Sequence, residues 1–125
     1  MVLVDTSVWI RAFANRAPYA AELDRLLRLN EVAGHELVYG ELLIGDRGGR
    51  RNVLAYYEQI YQAAIVPHHE VVALVRHRAL HGRGAGWIDI HLLASAMVGR
   101  LQLWTADPRL HALAQEIGVA YELTG

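Results

Sequence analysis

The hydrophobic residues of this chain follow two kinds of pattern. Short apolar runs that end abruptly, such as Val2-Leu3-Val4, are typical of buried strands. Elsewhere apolar residues recur every three or four positions, as Leu23, Leu26 and Leu27 do, and this spacing indicates amphipathic helices. The two patterns alternate along the chain, which favours an α/β fold with a mostly parallel sheet.

The boundaries of these elements follow from the same patterns. The sequence predicts strands at 2–5, 31–34, 64–66, 101–105 and 119–123. It predicts helices at 7–14, 20–29, 36–44, 52–61, 70–80, 88–98 and 108–116. Because the sequence shows neither a linker nor an internal repeat, we expect a single domain over residues 1–125.

Composition excludes several classes of protein. The chain has 125 residues, of which 54% are hydrophobic, and a formal net charge of −1, so it is neither disordered nor a basic nucleic-acid arm. It has no cysteine, which excludes disulfides and thiolate zinc sites. All 12 basic residues are arginine, which excludes a catalytic lysine. We find neither a signal peptide nor a membrane-spanning run, and we expect a cytoplasmic protein without a membrane partner.

Four acidic residues occupy unusual positions in this predicted fold. Asp5 and Asp107 lie just past predicted strands, and ligands of open parallel sheets bind outside the carboxyl ends of the strands. Glu41 and Asp89 lie on the apolar arcs of predicted helices, where an unpaired carboxylate is costly. If those helices pack beside the strands, all four carboxylates meet at one edge of the sheet.

Three of these acids also have an ordinary structural explanation. Asp107 precedes a proline at a helix start, which is a standard capping signal. Asp89 could be a first-turn acid that the helix dipole favours. Glu41 could lie at an exposed helix end, or pair with Arg47 or Arg50. Taken singly, therefore, these residues leave the structural and the functional interpretations open.

A capping role explains Asp5 less well. Thr6 and Ser7 follow it and are themselves available to cap the next helix, so the Asp5 carboxylate is surplus for that purpose. The hydroxyls of Ser7 and Thr105 lie at the same predicted strand ends as Asp5 and Asp107. They could support a site through hydrogen bonds, although ordinary turn bonding explains them at least as well.

Clustered carboxylates repel one another, and a hard divalent cation removes that conflict. Mg²⁺ prefers oxygen ligands, Mn²⁺ shares this preference, and a site of this kind supports metal-assisted phosphoryl transfer. We therefore expect an Mg²⁺ site, with Mn²⁺ as the alternative, in which Asp5, Asp89 and Asp107 are metal ligands. Glu41 would help to align the attacking water.

The four acids in their local contexts resemble a known family. Asp5 in LVDTSVW, Glu41 in YGELLIG, Asp89 in GWIDIHLLASA and Asp107 in LWTADPRL resemble the acidic quartet of PIN-domain ribonucleases, and most closely that of VapC toxins. The resemblance spans the whole chain. It implies a three-layer α/β/α sandwich with a central mostly parallel sheet, and metal-dependent endonucleolytic cleavage of RNA. It also implies a homodimer and inhibition by a cognate antitoxin.

One part of the chain departs from the family pattern. The segment before Glu41 reads AGHELVYGE, where a proline is expected near Glu36. This leaves the start of the helix open, but not the assignment of Glu41.

Basic and aromatic residues suggest where partners would bind. Candidate contacts to RNA phosphates are Arg47, Arg50, Arg51 and Arg83, although solvated loops and helix faces explain them equally well. An aromatic group could form a partner surface or pack in the core: Trp9, Phe13, Tyr56 and Tyr57.

Two other functions remain alternatives to a toxin. The chain could be a catalytically silent PIN-like module that binds RNA or protein, but the intact set of four acids argues against this. It could also be a housekeeping RNA-processing nuclease with the same chemistry, and an antitoxin gene next to its own would argue against that.

Overall fold

The structure is a computed structural model that describes residues 1–123. The strands are β1 (Val2–Val4), β2 (Val32–Gly34), β3 (Tyr61–Gln62) and β4 (Gln102–Trp104). The helices are α1 (Thr6–Phe13), α2 (Tyr19–Arg28), α3 (Glu36–Ile44), α4 (Arg51–Tyr57), α5 (His68–Arg78), α6 (Trp87–Gly99) and α7 (Pro108–Ile117). Within the described residues, no helix is long and apolar enough to cross a bilayer.

All four strands run parallel, in the order β3-β2-β1-β4. Parallel strands need crossover connections, and these are almost always right-handed. The chain moves from β1 outward to β2 and β3 and then returns to β4 on the other side of β1, so α1–α4 and α5–α6 lie on opposite faces. The predicted three-layer α/β/α sandwich is therefore confirmed.

This strand order creates a crevice at the carboxyl end of β1. The connection after β1 leads towards β2, whereas β4 joins β1 on its other side, so the strand order reverses at this point. Open α/β sheets bind ligands at such reversals. The backbone N–H of Asp5 donates to the Trp104 carbonyl at 2.9 Å, which ties the carboxyl ends of β1 and β4 together.

The apolar runs that predicted β1 and β4 form the centre of the core. Leu3, Val4 and Leu103 are fully buried, as are Leu92 and Leu93 of α6. Burial of one such side chain stabilises the fold by about 1.5–3 kcal/mol. The strand ends that carry the candidate site are thus held by the most buried part of the molecule.

The third predicted strand is in the wrong place. The helix predicted at 52–61 ends at Tyr57, and β3 is Tyr61–Gln62, not 64–66. Both residues of β3 are exposed at the edge of the sheet, so no apolar run marks the strand. Backbone pairing with β2 and a 2.9 Å hydrogen bond from Gln62 Nε2 to the Tyr57 carbonyl determine its position.

The last predicted strand, 119–123, is reduced to one parallel bridge between Leu103 and Ala120. The Leu103 N–H donates to the Val119 carbonyl at 2.7 Å, and the Tyr121 N–H donates to the Leu103 carbonyl at 2.9 Å. Pairing ends there, where the Tyr121 hydroxyl donates to Glu22 of α2. This side-chain anchor was not visible in the periodicity of the sequence.

The start of α3, which the missing proline left open, is at Glu36, with His35 as the N-cap. The His35 Nδ1 atom accepts a hydrogen bond from the Leu37 N–H at 3.1 Å. The imidazole thus satisfies one of the free N–H groups at the helix start, a task usually performed by Ser, Thr, Asp or Asn.

Candidate active site

Asp5 is buried at the end of β1, with 4% of its surface exposed. It occupies the N-cap position of α1, but its side chain makes no capping hydrogen bond. Instead, Asp5 Oδ2 accepts hydrogen bonds from Ser7 Oγ and Thr105 Oγ1, both at 2.7 Å. Two hydroxyls therefore hold one oxygen of this carboxylate in a fixed orientation.

The same two hydroxyls connect the end of β1 with the loop after β4. Ser7 Oγ accepts from the Ala106 N–H at 3.0 Å, and Thr105 Oγ1 accepts from the Asp107 N–H at 3.1 Å. Each hydroxyl thus donates to Asp5 and accepts from the backbone that leads to Asp107. The expectation that Thr6 and Ser7 cap α1 is wrong, because Asp5 occupies the N-cap position and neither hydroxyl accepts from an N–H group of α1.

Glu41 is half-buried, and its partner is a hydroxyl. Thr6 Oγ1 donates to Glu41 Oε1 at 2.7 Å, which links α3 to the first residue of α1. In the part of the chain that the structure describes, Glu41 forms no ion pair with Arg47 or Arg50. Ile44 is 89% exposed, so the apolar arc of α3 reaches the surface one turn after Glu41.

Asp89 and Asp107 both accept hydrogen bonds from backbone N–H groups at helix N-termini, as their structural explanations predict. Asp107 Oδ1 accepts from the Arg109 N–H at 2.9 Å and caps α7. Asp89 Oδ2 accepts from the Gly86 N–H at 3.1 Å in the first turn of α6. Each of these bonds uses one carboxylate oxygen only, and the second oxygen has no hydrogen-bond partner among residues 1–123.

The four acids share one electrostatic environment. Burial raises the pKa of Asp89 above its ordinary value of 3.8, and the negative charges of Asp5, Asp107 and Glu41 raise it further, against the lowering effect of the Gly86 N–H. Charges influence a pKa in this way only at short range, particularly away from bulk water. Hydrogen bonds through Thr105 and Thr6 link Asp107 to Asp5 and tie Glu41 to the residue after Asp5, and the charges of these three acids act on Asp89.

The donor set fits a hard divalent cation by its chemistry. It consists of carboxylate oxygens whose like charges raise the pKa of Asp89, and a bound cation would reverse that effect. In residues 1–123, however, no three His, Asp or Glu side chains are arranged as a ready-made metal site. Hydrogen bonds to helix caps and hydroxyls occupy one oxygen of each acid in this geometry.

The candidate RNA-binding arginines have different surroundings. Arg47 and Arg51 are exposed, whereas Arg50 is half-buried, with its guanidinium 4.5 Å from the centre of the Phe13 ring. Within the described chain, Arg50 Nη1 is buried without a hydrogen-bond partner. Arg83 pairs with Glu116 of α7 at 2.6 Å, so its charge already has a partner in the free protein.

The predicted aromatic group divides between core and surface. Trp9 and Tyr57 are buried, with ring centres 5.3 Å apart. Phe13 is half-buried and Tyr56 is exposed, and both line an apolar groove of about 360 Å³ between α1, α2 and α4. Core packing thus explains Trp9 and Tyr57, and the groove remains as a candidate partner surface.

Sequence reasoning missed a buried polar network behind the site. His35 Nε2 lies 3.0 Å from Ser95 Oγ, and Ser95 Oγ donates to the Ala64 carbonyl at 2.7 Å. Since the serine proton is used there, the His35 Nε2–H donates to Ser95. Burial lowers the pKa of His35 to about 4, so the ring is neutral. The sequence contains one signal of this network, which is the polar residue Ser95 within the apolar run of α6.

Comparison with known proteins agrees with this fold and acidic crevice. A family model described as "PIN domain" matches residues 2–116. Ribonuclease VapC32 from two Mycobacterium tuberculosis strains, CDC 1551 / Oshkosh and H37Rv, is 47% identical over 121 residues. The match covers 96% of this chain and 95% of each relative. The chain therefore belongs to the PIN-domain family and, within it, to the VapC-type toxins.

Two solved structures share the fold. FitAcB from Neisseria gonorrhoeae superposes with a TM-score of 0.63 and 27% identity, covering 96% of this chain and 95% of that one. PAE2754 from Pyrobaculum aerophilum gives a TM-score of 0.57 at 21% identity, covering 89% and 77% of the two chains. The second likeness concerns the fold alone.

Proposed function

We propose that this protein is an endoribonuclease that hydrolyses phosphodiester bonds of RNA with the help of a divalent cation, Mg²⁺ or alternatively Mn²⁺. The observation that supports the proposal is the hydrogen-bond network that holds Asp5, Glu41 and Asp107 around the ends of β1 and β4, together with the effect of their charges on Asp89. The ribonuclease name of the 47% identical relatives supports the same chemistry. The intact quartet argues against a silent binding module.

Each acid has a defined part in this proposal. Asp5, Asp89 and Asp107 would hold the cation, and Glu41 would orient the water that attacks the phosphorus. When bound, the cation neutralises charge on the phosphate and lowers the pKa of a coordinated water. Ser7 and Thr105 fix the orientation of Asp5, and Thr6 does the same for Glu41.

Arginines would hold the RNA backbone near this acidic centre. Arg47 and Arg50 lie between α3 and α4, and Arg51 begins α4, so all three are close in sequence to Glu41; the side chains of Arg47 and Arg51 are exposed. Arg83 would first have to leave Glu116. Phosphate contacts of this kind give affinity that falls with salt.

The test of this proposal is the Asp5→Asn substitution. Asn keeps the size of the side chain and one acceptor for the two hydroxyls but removes the charge, so we expect a folded protein with cleavage reduced on the order of a thousandfold or more. The measurement is cleavage of a randomised single-stranded RNA pool in Mg²⁺ or Mn²⁺. Asp24→Asn, at an exposed acid of α2, is the control and should cleave normally.

Removal of metal gives an independent result. EDTA should stop cleavage by the wild-type protein, and added Mg²⁺ or Mn²⁺ should restore it. Full activity of Asp5→Asn, or of the wild type in EDTA, would refute the proposed mechanism.

We further propose that a cognate antitoxin neutralises the protein in the cytoplasm, where its RNA substrates are. The apolar groove between α1, α2 and α4 is the surface that best suits a partner segment, because Phe13 and Tyr56 leave aromatic area there for contact. Tyr56→Glu, at an exposed position of the groove, should weaken antitoxin binding without loss of RNA cleavage, whereas unchanged affinity would exclude the groove. A homodimer is also proposed, and light scattering of the purified protein would test it.

A further inference from the structure

A second cavity, of about 330 Å³, opens beside the acidic crevice. Thr105 and Asp107 line it and also belong to the acidic site, so the two spaces adjoin. Its lining also includes Tyr19, Trp104, His111, Tyr121 and Glu122. We call this space the aromatic pocket.

Three aromatic rings form one wall of the aromatic pocket. Tyr19 and Trp104 are stacked, with ring centres 6.1 Å apart and planes inclined by 23°. Trp104 and Tyr121 follow with ring centres 5.5 Å apart. Trp104 is buried, whereas Tyr19 and Tyr121 are half-buried, so the two tyrosines are the accessible members of the wall.

Contacts within the protein hold the aromatic wall in a preformed arrangement. The Tyr121 hydroxyl donates to Glu22, which also pairs with Arg25 at 2.8 Å. The Tyr121 N–H is hydrogen-bonded to the Leu103 carbonyl at 2.9 Å, so both its ring and its backbone are fixed. A preformed wall of this kind loses little conformational entropy when a ligand binds.

Charge decides which part of a nucleotide suits the pocket. Asp107 and Glu122 contribute negative charge to the lining and would repel a phosphate, whereas a base is neutral. His111 Nε2 lies 3.4 Å from the Glu122 carboxylate. A protonated imidazole would form an ion pair with this carboxylate and hold it in place. The lining thus suits a planar, uncharged group with polar edges.

Arg11 provides a positive charge next to both Tyr19 of the aromatic pocket and Ser7 of the acidic site. Its guanidinium lies 5.8 Å from the centre of the Tyr19 ring, and its Nη1 donates to the Ser7 carbonyl at 3.0 Å. Ser7 in turn holds Asp5. A backbone phosphate next to the cleaved bond could therefore contact Arg11 while its base enters the pocket.

We propose that the aromatic pocket binds one nucleobase of the RNA, from a nucleotide adjacent to the cleaved bond, by stacking against Tyr19 and Tyr121. Single-stranded RNA is recognised mainly through bases that are splayed out and stacked on aromatic side chains. Arg11 holds the phosphate of the same nucleotide. This inference rests on the proposed ribonuclease function and assigns a substrate-binding role that the acidic quartet does not provide.

The experiment combines a protein change with an RNA change. The probe is the oligoribonucleotide that the wild type cleaves best from a randomised single-stranded pool, with each nucleotide beside the cut replaced in turn by an abasic one. Tyr19→Leu removes the ring and keeps an apolar side chain, and Tyr19→Phe keeps the ring as the matched control. Melting temperatures establish that both variants are folded.

We expect one abasic position to raise KM of the wild type roughly tenfold or more, with a smaller change in kcat, because the stacking energy of one base is lost. Tyr19→Leu should raise KM for the intact RNA to a similar extent and should no longer distinguish it from the abasic RNA. Tyr19→Phe should behave like the wild type. A merely structural role of Tyr19 would not produce this dependence on one base.

Three outcomes would overturn the inference. If no abasic position affects the wild type, the pocket binds no base, and this conclusion requires no variant. If Tyr19→Leu retains the wild-type preference for intact RNA, the base binds elsewhere; weaker antitoxin binding by that variant would assign the pocket to the antitoxin. If the wild type cleaves no RNA in Mg²⁺ or Mn²⁺, the proposed function fails first and this inference with it.

Discussion

At the scale of single residues, the acids of this site combine structural and proposed catalytic roles. Asp107 caps α7, and Asp89 accepts a hydrogen bond in the first turn of α6. Each role uses one oxygen, and a carboxylate has two. A capping signal in a sequence is therefore no argument against a metal-binding role for the same residue.

The Asp89→Asn substitution should raise stability while it lowers activity. The pKa of Asp89 is raised in the folded state, so ionisation of this residue above its ordinary value of 3.8 costs folding free energy. Asn removes that charge and keeps an acceptor for the Gly86 N–H. We expect a higher Tm than that of the wild type at pH 7 in EDTA, together with RNA cleavage reduced about a hundredfold or more.

The control for Asp89→Asn is Asp24→Asn, which removes an exposed charge of α2. Exposed substitutions usually change stability by less than about 0.5 kcal/mol. A wild-type Tm for Asp89→Asn, measured by thermal unfolding in EDTA, would show that neither burial nor the neighbouring charges make the ionised Asp89 unfavourable in the folded protein.

At the scale of elements, α3 depends on a histidine that must remain neutral. His35 is fully buried, caps α3 through Nδ1 and reaches Ser95 of α6 through Nε2. It therefore connects the start of the helix that carries Glu41 with the helix that carries Asp89. The relative position of these two acids rests on this hydrogen-bond network.

Because burial lowers the pKa of His35, we expect stability to fall at mildly acidic pH. The pKa of His35 is about 4 in the folded protein and 6.5 ordinarily, so between these values the unfolded chain binds more protons. The contribution of His35 is thus fully present above pH 6.5 and is lost as pH falls towards 4. The total loss is about 3 kcal/mol, at roughly 1.4 kcal/mol for each pKa unit.

The His35→Asn substitution tests this linkage. Asn can still cap the Leu37 N–H but cannot titrate, so we expect a less stable protein whose unfolding free energy changes less between pH 6.5 and 4. Urea unfolding across this range is the measurement, with His69→Asn at an exposed position as control. Equal pH slopes for the wild type and His35→Asn would contradict the prediction.

At the scale of the whole molecule, the strand order determines where the acids meet. The sheet order β3-β2-β1-β4 puts the ends of β1 and β4 side by side, and the hydroxyls of Ser7 and Thr105 join them. The site therefore depends on elements that are about a hundred residues apart in sequence. A cation bound there would stabilise the folded chain only, because the unfolded chain does not bring the acids together.

We therefore expect Mg²⁺ or Mn²⁺ to raise the Tm of the wild-type protein. A ligand at a hundred times its Kd adds about 2.7 kcal/mol, which corresponds to a rise of roughly several degrees for a chain of this size. Asp5→Asn should show little or no such rise, and Asp24→Asn should match the wild type. Equal shifts for Asp5→Asn and the wild type would place any bound cation elsewhere.

The sequence by itself determined the class of fold, most of the elements and the four acids. Apolar runs and three-to-four-residue spacing depend on local burial, which is why β1, β4 and most of the helices lie within a few residues of their predicted positions. It did not locate β3, because this exposed edge strand carries no apolar signal and is defined by its pairing with β2. Nor did it define the last strand, which consists of a single bridge between Leu103 and Ala120.

Only the tertiary structure decided which groups meet. Thr6 and Ser7 looked like helix caps in the sequence, but the fold places Glu41 and Asp5 within reach of their hydroxyls. The aromatic pocket likewise brings together Tyr19 and Tyr121, which are about a hundred residues apart in sequence. In the fold, both rings contact Trp104. Hydrogen bonds and stacking act over a few ångströms in space, and distance along the chain contains little information about them.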